Sequence, residues 1–166
     1  MDARRESDPT LVKNHTTAER KSDRELVVTR TFDAPARIVF EAWTKPELFK
    51  QWWVPKSMGM SLLSCEMDVR VGGRYRLEFA HGDSQAAFFG TYKEVTPHSR
   101  LVWTNEESDE GSVTTVTFAE KGGKTLLVMH ELYPSKEALD AAGTGAADAT
   151  IETFAQLDEL LLTLGA

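Results

Sequence analysis

Few residues in this 166-residue chain are of a type and spacing that can do chemistry. His15, His81, His98 and His130 show no HxxxH-like spacing, and Cys65 has no second cysteine to complete a zinc site. Cys65 also lacks a recognisable activating partner, which reads as an inert buried thiol. No GxSxG, P-loop or dinucleotide fingerprint occurs, and Gly72-Gly73 suits a hairpin rather than a phosphate. The sequence therefore nominates no catalytic residue, no metal ligand and no cofactor. Six polar side chains remain of interest. His130 ends a strand-like segment on the parity of Leu126 and Val128, where a neutral imidazole facing an apolar space would hydrogen-bond a ligand or act as a base. It reads more readily as a satisfied histidine at a strand end. Tyr75 and Tyr92 offer phenolic hydroxyls to a ligand, or pack with their tips in water. Asp68 and Arg70, two apart, share a face and pair outward to brace the turn. Arg30 is either an outer-face charge or a buried ligand anchor.

The elements that must position these groups follow from pattern and turn chemistry. ELVVTRTF (25–32) reads as a first strand, and Asp33-Ala34-Pro35 caps a short helix bearing Val39, Phe40 and Trp43. Lys45-Pro46 ends it and opens a second short helix with Leu48, Phe49 and Trp52 on one side. Six strands follow, separated by short turns at 71–73, 81–84, 96–97, 109–111 and 121–123, which demands an antiparallel meander. Pro134-Ser135 caps a brief helix stopped at Gly143. A longer one spans about 146–164, with Ala147, Ile151, Phe154, Leu157, Leu161 and Leu164 as its apolar stripe. The expected fold is α+β: a curved antiparallel sheet of about seven strands, in the order β-α-α-β6-α, gripping the long C-terminal helix. Residues 25–166 form this domain. Residues 1–24 have no aromatic residue and no regular apolar period, so they are expected to be a flexible arm.

Strand alternation turns Met67, Tyr75, Leu77, Trp103, Val116, Phe118, Leu126 and Val128 inward, with Phe49, Trp53 and Phe154 closing the ends. Trp52 and Trp53 are adjacent and cannot face the same way, so one seals the core and the other borders the cavity mouth or an interface. The net charge of −7 argues against nucleic acid or an anionic membrane as partner. No apolar run approaches a membrane span. The N-terminus lacks the apolar core of a secretory signal, and a lone cysteine suits a reducing compartment, so the cytoplasm is expected. Homodimerisation through the tryptophans or the arm is left open.

RTFDAPARIVFEAWTKPELFKQWW, DVRVGGRYRLEF, GTYKEVTPHSRLVWT, HELYPSKEALDAA and TFAQLDELL, in that order, resemble the START-like (SRPBCC) superfamily with its birch-pollen-allergen helix-grip fold. Within it the chain is similar to the bacterial branch related to the activator of the ninety-kilodalton heat-shock ATPase. The resemblance spans about 25–164. It departs where many relatives place Gly-Trp early in the last helix; here ADATIETFAQ offers Phe154 as the bulky residue. The resemblance implies a cavity between sheet and helix that takes a small hydrophobic or aromatic molecule, in a carrier or sensor rather than an enzyme. The expected ligand-binding set is Phe49, Trp53, Met67, Tyr75, Leu77, Trp103, Phe118, Val128, His130 and Phe154. It also implies two other readings. One is a polyketide-cyclase- or lyase-like enzyme in which His130 and Tyr75 form the acid–base pair. The other is a module that docks on a chaperone, although the arm is too short for the second domain of eukaryotic activators.

Overall fold

The computed structural model describes residues 10–13, 16–106 and 111–164. Its strands are β1 (Thr10–Lys13), β2 (Thr16–Ser22), β3 (Glu25–Phe32), β4 (Met60–Met67), β5 (Arg74–His81), β6 (Ser84–Thr96), β7 (Arg100–Thr104), β8 (Val113–Lys121) and β9 (Lys124–Leu132). They form one antiparallel sheet in the spatial order 1-2-3-9-8-7-6-5-4. Helices α1 (Ala36–Thr44) and α2 (Pro46–Phe49) and a 3-10 turn (Lys56–Met58) lie between β3 and β4, and α3 (Lys136–Thr163) follows β9. This is the α+β helix-grip architecture expected from the pattern, with two additional strands.

Those strands correct the reading of residues 1–24 as a flexible arm. Residues 10–13 and 16–22 are strands, and β2 pairs with β3; residues 1–9 and 14–15 lie outside the described residues. The buried positions of β2 are filled by Thr16 and Ala18, too small to register as an apolar period. Backbone pairing, the Arg20–Asp140 ion pair and Thr16 Oγ1, 3.3 Å from Arg30, tie the segment down. Arg30 itself is buried, 3.3 Å from Asp158 and over the Phe32 ring, so it braces the sheet against α3.

Two helix boundaries also differ from expectation. α1 begins after Pro35, and its first free amide, Ala36 N, donates to Glu120 of β8 at 2.9 Å, so Glu120 rather than Asp33 meets the helix start. α3 is continuous through Gly143 and Gly145. A helical glycine costs about 1 kcal/mol, and burial of Leu139 and Ala147 on either side offsets it. Ser135 does cap α3, accepting from Ala138 N at 3.1 Å.

The core lies between sheet and helices around Trp43, which meets Trp52, Trp53, Trp103, Phe49, Phe118 and Phe154 with ring centroids 4.7–6.3 Å apart. The expected stripe of α3 is buried from Ala147 to Leu161. α3 packs on β2 and β3, and α1 on β8 and β9. The inner face over β5–β7 is thereby left with space beneath it.

Candidate functional site: an apolar cavity with a polar end

That space is a cavity of about 370 Å³, within the range of small-molecule sites. β4 and β5 supply Met67, Tyr75 and Leu77, with Met67 registered opposite Tyr75. β6 and β7 supply Phe88, Tyr92 and Trp103, and Trp43, Phe49 and Trp53 close it from the helical side. The adjacent tryptophans divide as expected. Trp52 is fully buried and donates its indole N–H to Ala42 O at 2.9 Å, while Trp53 borders the cavity. Trp53 is held there because α3 clamps its loop. Gln156 donates to Trp52 O and Val54 O at 3.0 and 2.9 Å and accepts from Lys56 N, while Glu152 accepts from Ser57 N at 2.8 Å. Beyond Trp53, Phe88, Ala149 and Thr150, a shallow apolar depression of about 190 Å³ shares those four residues as a wall with the cavity.

Of the ten residues expected to line the site, Phe49, Trp53, Met67, Tyr75, Leu77 and Trp103 do so. Phe118 and Phe154 face inward but are core: Phe118 packs edge-on to Phe40, and Phe154 to Phe32. Val128 and His130 are misplaced by the sequence reading. β9 turns Leu127, Met129 and Glu131 inward, so Val128 and His130 lie on the opposite face and Leu126 is 42% exposed. His130 Nε2 is 2.7 Å from Glu25 Oε2, and this contact holds the Glu25 carboxyl below its usual range. The His130–Tyr75 acid–base pair therefore has no geometric basis.

The parity of β9 brings in groups the sequence reading missed: Asn105, Ser112, Met129, Glu131 and Tyr133. Asn105 organises the polar end. Its Oδ1 accepts from Tyr75 Oη at 2.9 Å and from Trp103 Nε1 at 3.2 Å. Its Nδ2 donates to Ser112 Oγ and Thr114 Oγ1, both at 2.9 Å, and to Ser112 O at 3.3 Å. An indole only donates and a carbonyl only accepts, so the amide is fixed in this orientation. Thr114, buried, donates its own proton to Glu131 Oε1 at 3.3 Å, and Tyr133 donates to Glu131 Oε2 at 3.2 Å. Burial, then the neighbouring Glu131, raises the Tyr133 pKa, and burial raises that of Tyr92. Both phenols stay protonated at neutral pH.

Gly90 makes this arrangement fit. It pairs with Tyr75 across β5–β6, and a Cβ there would stand 1.7 Å from Thr104 O. With no side chain on Gly90, the end of β7 crosses over β6, and Tyr75 Oη reaches Thr104 O at 3.1 Å. Asn105, the next residue, enters the cavity from there.

Asp68 and Arg70 pair outward with each other at 2.9 Å, as expected. Cys65 is half-buried beside Met67, and burial pushes its thiol up to about 11. Among the described residues, no helix is long and apolar enough to cross a membrane.

The same architecture recurs in solved structures. A Nitrosomonas europaea protein is similar over 88% of this chain and 99% of its own, with 23% identity and a TM-score of 0.79. A Rhodobacter sphaeroides protein is similar over 90% and 99%, with 24% identity and a TM-score of 0.82. A Chromobacterium violaceum protein is similar over 83% and 97%, with 25% identity and a TM-score of 0.72. No curated protein matches the chain. The profile that does match runs from Asp33, just ahead of the helix that carries Trp43, to Leu162 near the end of α3, and so takes in the whole lining of the cavity. By that match the chain belongs to the family described as activator of Hsp90 ATPase homolog 1-like protein.

Proposed function

We propose that this protein binds a small hydrophobic or aromatic molecule between the sheet and α3, as a carrier or sensor. The observation that carries this reading is the cavity itself: about 370 Å³, walled mostly by aromatic and aliphatic side chains, with polar groups gathered at one end. Such a site gains affinity from apolar burial and orientation from a few hydrogen bonds. The described side chains support binding over catalysis, since Tyr75, Asn105, Thr114, Glu131 and Tyr133 hold one another in a hydrogen-bond chain.

The test is native mass spectrometry of the protein purified from its own host, alongside Ala149→Phe, which fills the wall next to Trp53. A noncovalent adduct of a few hundred daltons on wild type, absent from the folded variant, is the expected result. Wild type without an adduct and without affinity for aromatic probes would overturn the proposal.

A further inference from the structure

Most donors in the cavity wall are committed to the protein. Trp103 Nε1, Asn105 Nδ2 and the hydroxyls of Tyr75 and Tyr133 all donate to protein acceptors. Tyr92 differs. It lines the cavity and is only 4% exposed, yet its hydroxyl has no hydrogen-bond partner among the described residues. Trp43 Nε1 is also unpartnered, but it is sealed within the aromatic cluster. A buried hydroxyl without a partner costs free energy that an oxygen entering the cavity can recover. The Tyr92 ring is held in place from every direction that matters for aim. Its backbone accepts from Gly72 N at 2.9 Å and donates to Gly73 O at 2.8 Å, and it stands opposite Trp103 across β6–β7. The rings of Tyr75 and Trp103 lie 5.8 and 6.3 Å from its own. A ligand using this hydroxyl therefore has little side-chain ordering to offset.

Burial keeps this phenol protonated, so it is a neutral donor. A carbonyl oxygen accepts from it and brings no proton of its own into the apolar space. An alcohol that accepts from Tyr92 carries a further O–H that must find an acceptor. An organic anion would exchange water for neutral donors, since no lysine, arginine or histidine is among the described lining residues. We propose that Tyr92 is the polar anchor of the cavity, donating to the carbonyl oxygen of a neutral aromatic ligand. This deepens the proposed binding role and rests on it.

Calorimetric titration of the full chain at neutral pH tests this with 2-acetonaphthone, with 2-isopropenylnaphthalene, in which a methylene replaces the carbonyl oxygen, and with 2-naphthoate. Tyr92→Phe keeps the ring and removes the hydroxyl. It should weaken the ketone about fivefold and leave the alkene within about twofold. Wild type should bind 2-naphthoate roughly tenfold or more weakly than the ketone. In the wild-type complex the ketone's infrared carbonyl band should fall below its position in hexane, and in the variant it should return there. Ketone and alkene that respond alike to Tyr92→Phe, a wild-type carbonyl band at its hexane position, or naphthoate as tight as the ketone would overturn the anchor and leave the cavity reading standing. If neither neutral probe binds wild type, the binding role fails and the anchor with it. The wild-type infrared band decides the matter even if the variant is unstable.

Discussion

Replacing Gly90 by alanine puts one methyl group where the backbone of Thr104 now passes. The added Cβ would lie 1.7 Å from Thr104 O and 2.8 Å from Tyr75 Cε2. The tyrosine ring can swing, but the carbonyl belongs to β7 and must retreat by about 1.7 Å to reach the 3.4 Å of ordinary contact. A retreat of that size costs two donor protons their acceptors: that of Tyr75 Oη, shared between Thr104 O at 3.1 Å and Asn105 Oδ1, and that of Trp103 Nε1, bonded to Asn105. Overpacking costs about 1–3 kcal/mol and each lost buried hydrogen bond about 1 kcal/mol, so the expected destabilisation is roughly 3–5 kcal/mol. At about 2–4 °C per kcal/mol for a chain of this size, Tm falls by roughly 6–20 °C. Urea unfolding gives the free energy, and 2-acetonaphthone titration below the transition gives the state of the site, which should bind at least tenfold more weakly. A loss under about 1 kcal/mol with unchanged affinity would refute the claim that Gly90 lets β7 deliver Asn105 to the cavity.

Asn105→Asp replaces the Nδ2 donor with an acceptor facing Ser112 O; a stability loss of about 2–4 kcal/mol by denaturation is expected, and a neutral outcome would show that the amide does not organise the polar end. Phe154→Ala removes a fully buried ring from the core and should cost about 3–5 kcal/mol, read by the same unfolding curves. His130→Ala should leave probe affinity within twofold, because its ring lies on the opposite face of the sheet beside Glu25; a larger loss by calorimetry would return His130 to the site. Cys65, moved from 9.0 to about 11 by burial, should show about one hundredth of the thiolate of an ordinary cysteine at pH 7.5 and label correspondingly slowly with iodoacetamide. Between pH 9 and 11 the unfolded thiol ionises first, so this thiol's contribution to stability falls as pH rises through that window. Labelling at the rate of a free peptide thiol would contradict the burial.

The helix-grip order was legible because each element carries its own local signal: proline at the helix starts, glycine at the turns, and a clean stripe on α3. Most of the cavity wall was legible too, since Tyr75 and Leu77 alternate unambiguously with Arg74, Arg76 and Glu78. The failure on β9 has a specific cause. TLLVMHEL is apolar on both parities in its first half, so alternation alone does not choose between Leu127-Met129 and Leu126-Val128. The information was present one step away. Gly122 and Gly123 both take positive φ in a two-residue turn that pairs Lys121 with Lys124. That turn forces Phe118 opposite Leu127 and Thr114 opposite Glu131. Carrying the inward parity of Val116 and Phe118 across the hairpin would have found Glu131 and excluded His130. Asn105 was not legible in this way, because it lies past the end of β7 and reaches the cavity only through the crossing that Gly90 permits. The N-terminal hairpin was hidden by composition: where the buried positions are threonine and alanine, burial leaves no apolar signature.

The claim that the space between sheet and α3 receives a ligand is tested most directly by the four tryptophan indole N–H resonances during titration with 2-acetonaphthone. Trp43, Trp53 and Trp103 line the cavity, whereas Trp52 is buried behind them with its N–H bonded to Ala42 O. Saturable shifts largest at Trp53 and Trp103 and smallest at Trp52, with the amides of Val128 and His130 unmoved, are the predicted result. Indoles that stay silent up to the probe's solubility, or shifts concentrated at Val128 and His130, would contradict it.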